Sequence, residues 1–202
     1  MVKKPLPLPV AGITTASSMT CRLKIRTNSP EQTQAVGRSI GEQARAGDIY
    51  LLTGSLGAGK TCLTQGIAWG LGVPGYTRSP TFVLMTRYQG RMVLHHVDLY
   101  RIGNPEEAWD LGLEEQLAGD GVCVVEWADR AAEIFPPDCL WIELSYGDSV
   151  DCRDISLQCS GEISGESSRE SSRESSVKSP DSRFEPLLAS LQESDWAREA
   201  KT

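Results

Sequence analysis

The chain has no run of 18 apolar residues, so no segment of it has the make-up of a membrane span. A secretory signal is missing too: Met1 to Met19 opens with Lys3 and Lys4, but the apolar stretch that follows is short and broken by Pro5, Pro7 and Pro9. Residues 1–19 read instead as a disordered leader. Excess basic charge is absent. With 20 Lys and Arg against 27 Asp and Glu the net charge is −7, which argues against a surface that grips nucleic acid directly. No C-x-x-C pair occurs among Cys21, Cys62, Cys123, Cys139, Cys152 and Cys159. Several of them lie in apolar runs where a thiol acts as a small hydrophobe, so the expectation is reduced cysteines in a cytoplasmic protein. At 202 residues and 40% apolar, the chain can bury one core.

Residues 54–61 read Gly54-Ser55-Leu56-Gly57-Ala58-Gly59-Lys60-Thr61, a full match to the phosphate-cradling pattern G-x-x-x-x-G-K-[ST]. Ile49-Tyr50-Leu51-Leu52-Thr53 before it reads as a strand, and Cys62 to Leu71 after it as a helix. Glycine allows positive φ and close backbone approach, so the N–H groups of Gly57, Ala58, Gly59, Lys60, Thr61 and Cys62 can converge on phosphate oxygens at the positive end of the helix. Lys60 would reach the outer phosphates, and Thr61 would offer its hydroxyl to a bridging Mg2+. The pattern predicts a bound nucleoside triphosphate.

Around this loop the pattern is strand, then helix, repeatedly. Cys21–Thr27 alternates basic and apolar residues as a strand with one wet face does. Ser29-Pro30-Glu31-Gln32 supplies a capping hydroxyl, a proline for the first turn and a glutamine at the third position, with Ala35, Ile40 and Ala44 as apolar positions behind it. Thr81–Tyr88 and Arg91–Tyr100 read as a hairpin about Gln89-Gly90, and Asn104-Pro105-Glu106-Glu107 as the start of a helix running through Leu117. Val122–Val125 is a strand buried on both faces, and Leu140–Leu144 and Arg153–Leu157 are closing strands. The expected fold is α/β, a mixed central sheet flanked by helices, with the nucleotide at the carboxyl ends of the parallel strands. The domain spans residues 20–159. Residues 160–182 form a Ser/Glu/Arg-rich disordered linker, in which ten of 23 positions are serine. In residues 183–202, Phe184, Leu187, Leu188 and Leu191 fall at the spacing of a short amphipathic helix, which either docks on the domain or on a partner or frays in solvent.

A triphosphate site also needs acidic side chains, for magnesium and for the attacking water. Asp98 ends one predicted strand and Glu126 follows another directly, so both emerge at the expected edge. His95 and His96 are adjacent and must face opposite sides of a strand, which excludes a two-histidine metal site and leaves packing or supporting roles. Trp127 either stacks near the base or fills the core. Arg101 and Arg130 either contact phosphate or are surface charges. The loop Arg78-Ser79-Pro80-Thr81-Phe82 sets two hydroxyls after the phosphate-loop helix, and Thr81 is the candidate sensor of the outermost phosphate. No N-K-x-D or T-K-x-D tetrapeptide is present to read guanine, and no Arg-rich insertion offers a kinase lid. A small-molecule kinase using the same loop stands as the alternative.

In this order, Gly54–Thr61, Ser79-Pro-Thr-Phe82, His96-Val-Asp-Leu-Tyr-Arg101, Leu111-Gly-Leu-Glu-Glu115 and Val124-Val-Glu-Trp-Ala-Asp-Arg130 closely resemble the TsaE (YjeE) family of small bacterial P-loop ATPases, over about Ser29 to Leu157. The resemblance implies ATP and Mg2+ as cofactors, slow ATP hydrolysis, and work with the TsaD and TsaB proteins in threonylcarbamoyl modification of adenosine 37 in tRNAs reading ANN codons. It implies contact with tRNA only through that complex, and none with a membrane. It gives Lys60 and Thr61 roles at the phosphates and metal, makes Asp98 and Glu126 essential acids and Trp127 a functional aromatic. Of the two acids, Asp98 is preferred as the metal ligand. Nothing is inherited for the leader, the linker or the terminal helix.

Overall fold

The structure, a computed structural model, describes residues 22–75, 77, 79–103, 107–108, 113, 119–159 and 183–194. The leader, the linker and most of the helix expected from Asn104 to Leu117 lie outside the described residues. The described elements are β1 (Arg22–Thr27), α1 (Pro30–Gln43), β2 (Ile49–Thr53), α2 (Lys60–Gly70), β3 (Met85–Gln89) and β4 (Val93–Asp98). They continue with β5 (Val122–Glu126), a 3-10 segment (Ala128–Ile134), β6 (Leu140–Tyr146), β7 (Arg153–Cys159) and α3 (Glu185–Glu193). Among the described residues these strands form one sheet in the order β1-β7-β6-β2-β5-β4-β3. The centre, β6-β2-β5-β4, is parallel, while β3 and β7 run antiparallel to their neighbours. The expected mixed sheet is present, and β6 and β7 both lie inside it rather than closing it, the edges being β1 and β3.

Period-two alternation sorts the central strands cleanly between two apolar clusters. Tyr50, Leu52, Val122, Val124, Leu140 and Ile142 face one way, toward Val36, Ile40, Leu63 and Ile67 of α1 and α2. Ile49, Leu51, Cys123 and Val125 face the other, toward Leu99, Ile102, Ala128 and Ala131. Strands buried on both faces belong in the middle of a parallel sheet, and the all-apolar reading of Val122–Val125 predicted that for β5.

Helix α1 starts as its sequence dictates: Gln32 N–H donates to Ser29 Oγ at 3.2 Å, and the Gln32 side chain reaches back to Asn28 N at 2.7 Å. Ala35 is only half-buried, and Val36 takes the core position instead. Helices α1 and α2 pack backbone to backbone. A Cβ on Gly37 or Gly41 would run into the carbonyls of Leu63 or Ile67, and one on Gly66 or Gly70 into those of Gln34 or Arg38. Two small-xxx-small faces thus interlock, and the phosphate-loop helix is held against α1 with no side chain between them.

Two expectations are corrected. Strand β3 begins at Met85, not Thr81, because the Pro80 carbonyl accepts from both Val83 N (2.9 Å) and Leu84 N (2.6 Å) and Leu84 sits at φ 64°. Residues 80–84 therefore form a tight turn that a strand cannot contain. The cysteines are not all reduced: Cys159 is disulfide-bonded, its partner lying outside the described residues, while Cys62, Cys123, Cys139 and Cys152 are free. No C-x-x-C spacing is needed for such a bond, since strand pairing can bring distant positions together. Burial pushes the Cys123 and Cys139 thiols up to about 12.

Helix α3 docks on the domain itself. Phe184, Leu187, Leu188 and Leu191 are all buried against the cluster shared with α1 and β1, and the Phe184 and Tyr50 rings lie 6.1 Å apart. Arg183 locks the start of the segment, its Nε donating to Asp48 Oδ1 at 2.6 Å. Asp48 is itself buried and also accepts from Tyr50 and the Arg45 backbone. Among the described residues, no helix is long and apolar enough to cross a membrane.

Candidate functional site

The phosphate loop joins the carboxyl end of β2 to α2, with Gly54, Gly57 and Gly59 at φ 130°, 78° and 105°. Those angles lie in the left-handed region that favours glycine. The loop faces a cavity of about 340 Å³ that Leu56, Gly57, Gly59, Lys60, Thr61 and Cys62 share with Ser79, Thr81, Asp98, Tyr100, Glu126 and Trp127. Ala58 stays out of the lining, its methyl fully buried beneath the loop, and so do His95, His96, Arg101 and Arg130. A larger cleft of about 430 Å³ crosses the outer face of β1, β7 and β6. Its most prominent cation, Arg26, is already engaged by Asp148 and Asp154 at 2.7 and 2.8 Å.

Parity places the acids. Leu94, His96 and Asp98 share one face of β4, and Glu126 shares the same face of β5, the side occupied by α2. Thr61 Oγ1 donates to Glu126 Oε2 at 2.9 Å, and Thr64 Oγ1 lies 3.3 Å from Oε1. His96 Nε2 is 2.8 Å from the same Oε1. Glu126 and His96 are essentially inaccessible, at 2% and 0% exposure. In the neutral tautomer that donates from Nε2 to Glu126, His96 Nδ1 is a lone pair, consistent with its having no partner. Sequence reasoning left His96 with an unspecific supporting role, because its partner is 30 positions away on the next strand. His95 faces the opposite side, as expected, and burial lowers its pKa.

Asp98 has a different environment. Its Oδ2 accepts from both Ser79 Oγ and Thr81 Oγ1, the latter at 2.6 Å, and its Oδ1 from Tyr100 N at 2.8 Å. The two hydroxyls of the Ser79-Pro80-Thr81 loop thus converge on the carboxylate. Arg78 lies outside the described residues. Lys60 donates to the carbonyls of Gly54 (2.6 Å) and Ser55 (2.9 Å), and its ammonium sits 3.5 Å from the centre of the Trp127 ring. Burial lowers the Lys60 pKa, opposed by the charges of Glu126, Asp129 and Asp98. Trp127, held at φ 60°, packs against Tyr100 with the rings tilted by 49° and their centroids 5.0 Å apart. Arg101 lies over Phe82, and Arg130 caps the Ile102 carbonyl at 3.0 Å. The Cys62 thiol turns to the Pro30 carbonyl, 3.3 Å away, and burial raises its pKa.

Among the described residues, no group of three His, Cys, Asp or Glu side chains gathers as a metal cage. A hydroxyl beside one carboxylate suits a cation that takes most of its shell from phosphate and water, as magnesium does. A glycine loop between strand and helix, an acid at the end of each of the next two parallel strands and a mixed sheet define a P-loop α/β protein.

The comparisons agree. The family model described as "Threonylcarbamoyl adenosine biosynthesis protein TsaE" matches residues 27–155, and the chain belongs to that family. It is 41% identical over 141 residues to the tRNA threonylcarbamoyladenosine biosynthesis protein TsaE of Bacillus subtilis, covering 69% of this chain and 87% of that one. It is 40% identical over 118 residues to the protein of the same name from Treponema pallidum, covering 58% and 87%. The crystal structure of Bacillus subtilis YdiB superposes with a TM-score of 0.65 at 34% identity, over 91% of this chain and 99% of that one.

Proposed function

We propose that this protein is a magnesium-dependent ATPase of the cytoplasm whose slow turnover, together with TsaD and TsaB, supports threonylcarbamoyl modification of adenosine 37 in tRNAs reading ANN codons. The family membership supports the pathway, and the net charge of −7 supports reaching tRNA through partners. The observation that carries the ATPase reading is the Thr61–Glu126 hydrogen bond of 2.9 Å, which brings the phosphate-loop hydroxyl and a buried acid to one point.

Lys60 would exchange the Gly54 and Ser55 carbonyls for phosphate oxygens, keeping its ammonium on the Trp127 face. Thr61 and Glu126 are the residues that would hold Mg2+, either directly or through water, a choice that reverses the preference for Asp98 reached from sequence. When bound, the ion would neutralise charge developing on the transferred phosphoryl group. Asp98, fixed by Ser79 and Thr81, would orient the attacking water. Thr81 would report the outermost phosphate through that same bond.

The test is ATP hydrolysis by the purified chain, alone and with TsaD and TsaB, for wild type and Glu126→Ala. We expect turnover that rises with the partners and falls by about a hundredfold or more in the variant. Tight ATP binding with no hydrolysis and no partner response would overturn the reading and point to phosphoryl transfer to a small-molecule acceptor.

A further inference from the structure

We propose that Arg153 and Tyr146 are positioning residues of the phosphate loop, holding it by its outward carbonyls so that the Gly57 and Gly59 amides face the ligand. The two are direct cross-strand partners on β7 and β6. Tyr146 Oη donates to the Leu56 carbonyl at 2.9 Å. Arg153 Nη2 donates to the Gly57 carbonyl at 3.3 Å and Nε to the Ala58 carbonyl at 3.0 Å. Consecutive carbonyls of the loop are therefore taken by a single strand pair some 90 residues further along the chain.

The arrangement is itself braced. Arg153 Nη1 donates to the carbonyls of Val150 and Cys152, both at 2.7 Å, and the guanidinium lies 4.6 Å from the centre of the Tyr146 ring. A Cβ on Gly57 would collide with the Tyr146 hydroxyl, so the glycine lets the loop seat on the phenol. In a planar trans peptide the carbonyl and the following N–H point in opposite directions. Pinning the carbonyls of Leu56 and Ala58 outward therefore aims the N–H groups of Gly57 and Gly59 into the cavity. Among the described residues, no protein acceptor takes either amide. Those amides are the donors an anion nest needs.

Lys60 holds the Gly54 and Ser55 carbonyls from the cavity side and must release them to meet phosphate. Arg153 and Tyr146 stand behind the loop and need not move. Their contribution is preorganisation, which strengthens binding by removing the cost of ordering the loop. It acts alike on any ligand with a phosphate in the nest.

This inference rests on the nucleotide reading of the site. The experiment is calorimetric titration of the full chain with Mg-ATP and with Mg-ADP, alongside the melting temperature of the free protein and ATP turnover. Arg153→Ala is expected to weaken both nucleotides about tenfold and Tyr146→Phe about threefold, with kcat at saturating ATP within about twofold of wild type. Arg153→Lys is expected not to restore binding, because a point charge cannot reproduce the guanidinium fork. Wild-type affinity in Arg153→Lys would overturn the proposal in favour of charge alone. A lower melting temperature with unchanged affinities would reduce the pair to a structural strut. Should Arg153→Ala fail to fold, Tyr146→Phe decides, since it removes only a hydroxyl from a half-exposed ring. Wild type that binds neither nucleotide would overturn the function proposed above and this role with it; wild type that binds both while the variants bind equally well would overturn this role alone.

Discussion

His96, like Thr64, is fully buried beside Glu126, and among the described residues its ring hydrogen-bonds only through Nε2, to that carboxyl. A buried carboxyl that loses a hydrogen-bond partner typically costs about 1–3 kcal/mol, or roughly five- to 150-fold in an equilibrium or rate. His96→Leu should therefore lower kcat for ATP about tenfold while leaving KM within about threefold, and His96→Gln, which can present an N–H at similar reach, should recover most of the loss. Steady-state kinetics on the pair decides it; equal kcat in the Leu and Gln variants would show that packing, not the hydrogen bond, is what His96 supplies. At this scale, the phosphate loop and both acids were legible from residue type and order. The contacts of His96, Arg153 and Tyr146 were not, because each is created by strand register over separations of 30 to 96 positions.

Helix α3 shows how an element can be foreseen without its address. The spacing of Phe184, Leu187, Leu188 and Leu191 specified an apolar stripe, and that stripe is what is buried. Nothing in its own sequence said whether the stripe covers this domain; the answer comes from Arg183 finding Asp48 and Phe184 finding Tyr50. Leu191 is fully buried, so Leu191→Ala should lower the unfolding free energy by about 2–5 kcal/mol in urea titrations. An unchanged midpoint would mean that the helix does not dock in solution. The late start of β3 was illegible for the opposite reason. Thr81-Phe82-Val83 has good strand propensity, but a backbone turn on the Pro80 carbonyl overrides it.

For the whole molecule, a loop already shaped for phosphate predicts that ligand binding stabilises the fold by mass action rather than by refolding it. At free Mg-ATP about 100 times its dissociation constant, stability should rise by about 2.7 kcal/mol. Thermal unfolding with ATP should show an upward shift that shrinks when magnesium is chelated; a shift indifferent to chelation would remove the ion from the site. The mixed sheet was readable because hydrophobic runs, capping signals and one hairpin alternate in an order few topologies accommodate. The strand order was not readable, since β7 inserts between β6 and β1 through pairings that no local pattern announces.

The interlocked glycines of α1 and α2 also carry a genetic consequence. At Gly37, Gly41, Gly66 and Gly70 the obstacle to a larger residue is a main-chain carbonyl of the facing helix. Main chain is common to every amino acid, so trimming a neighbouring side chain cannot relieve a collision at any of these positions. A lesion there is therefore not suppressed by shortening a side chain across the helix interface, whereas restoring glycine repairs it.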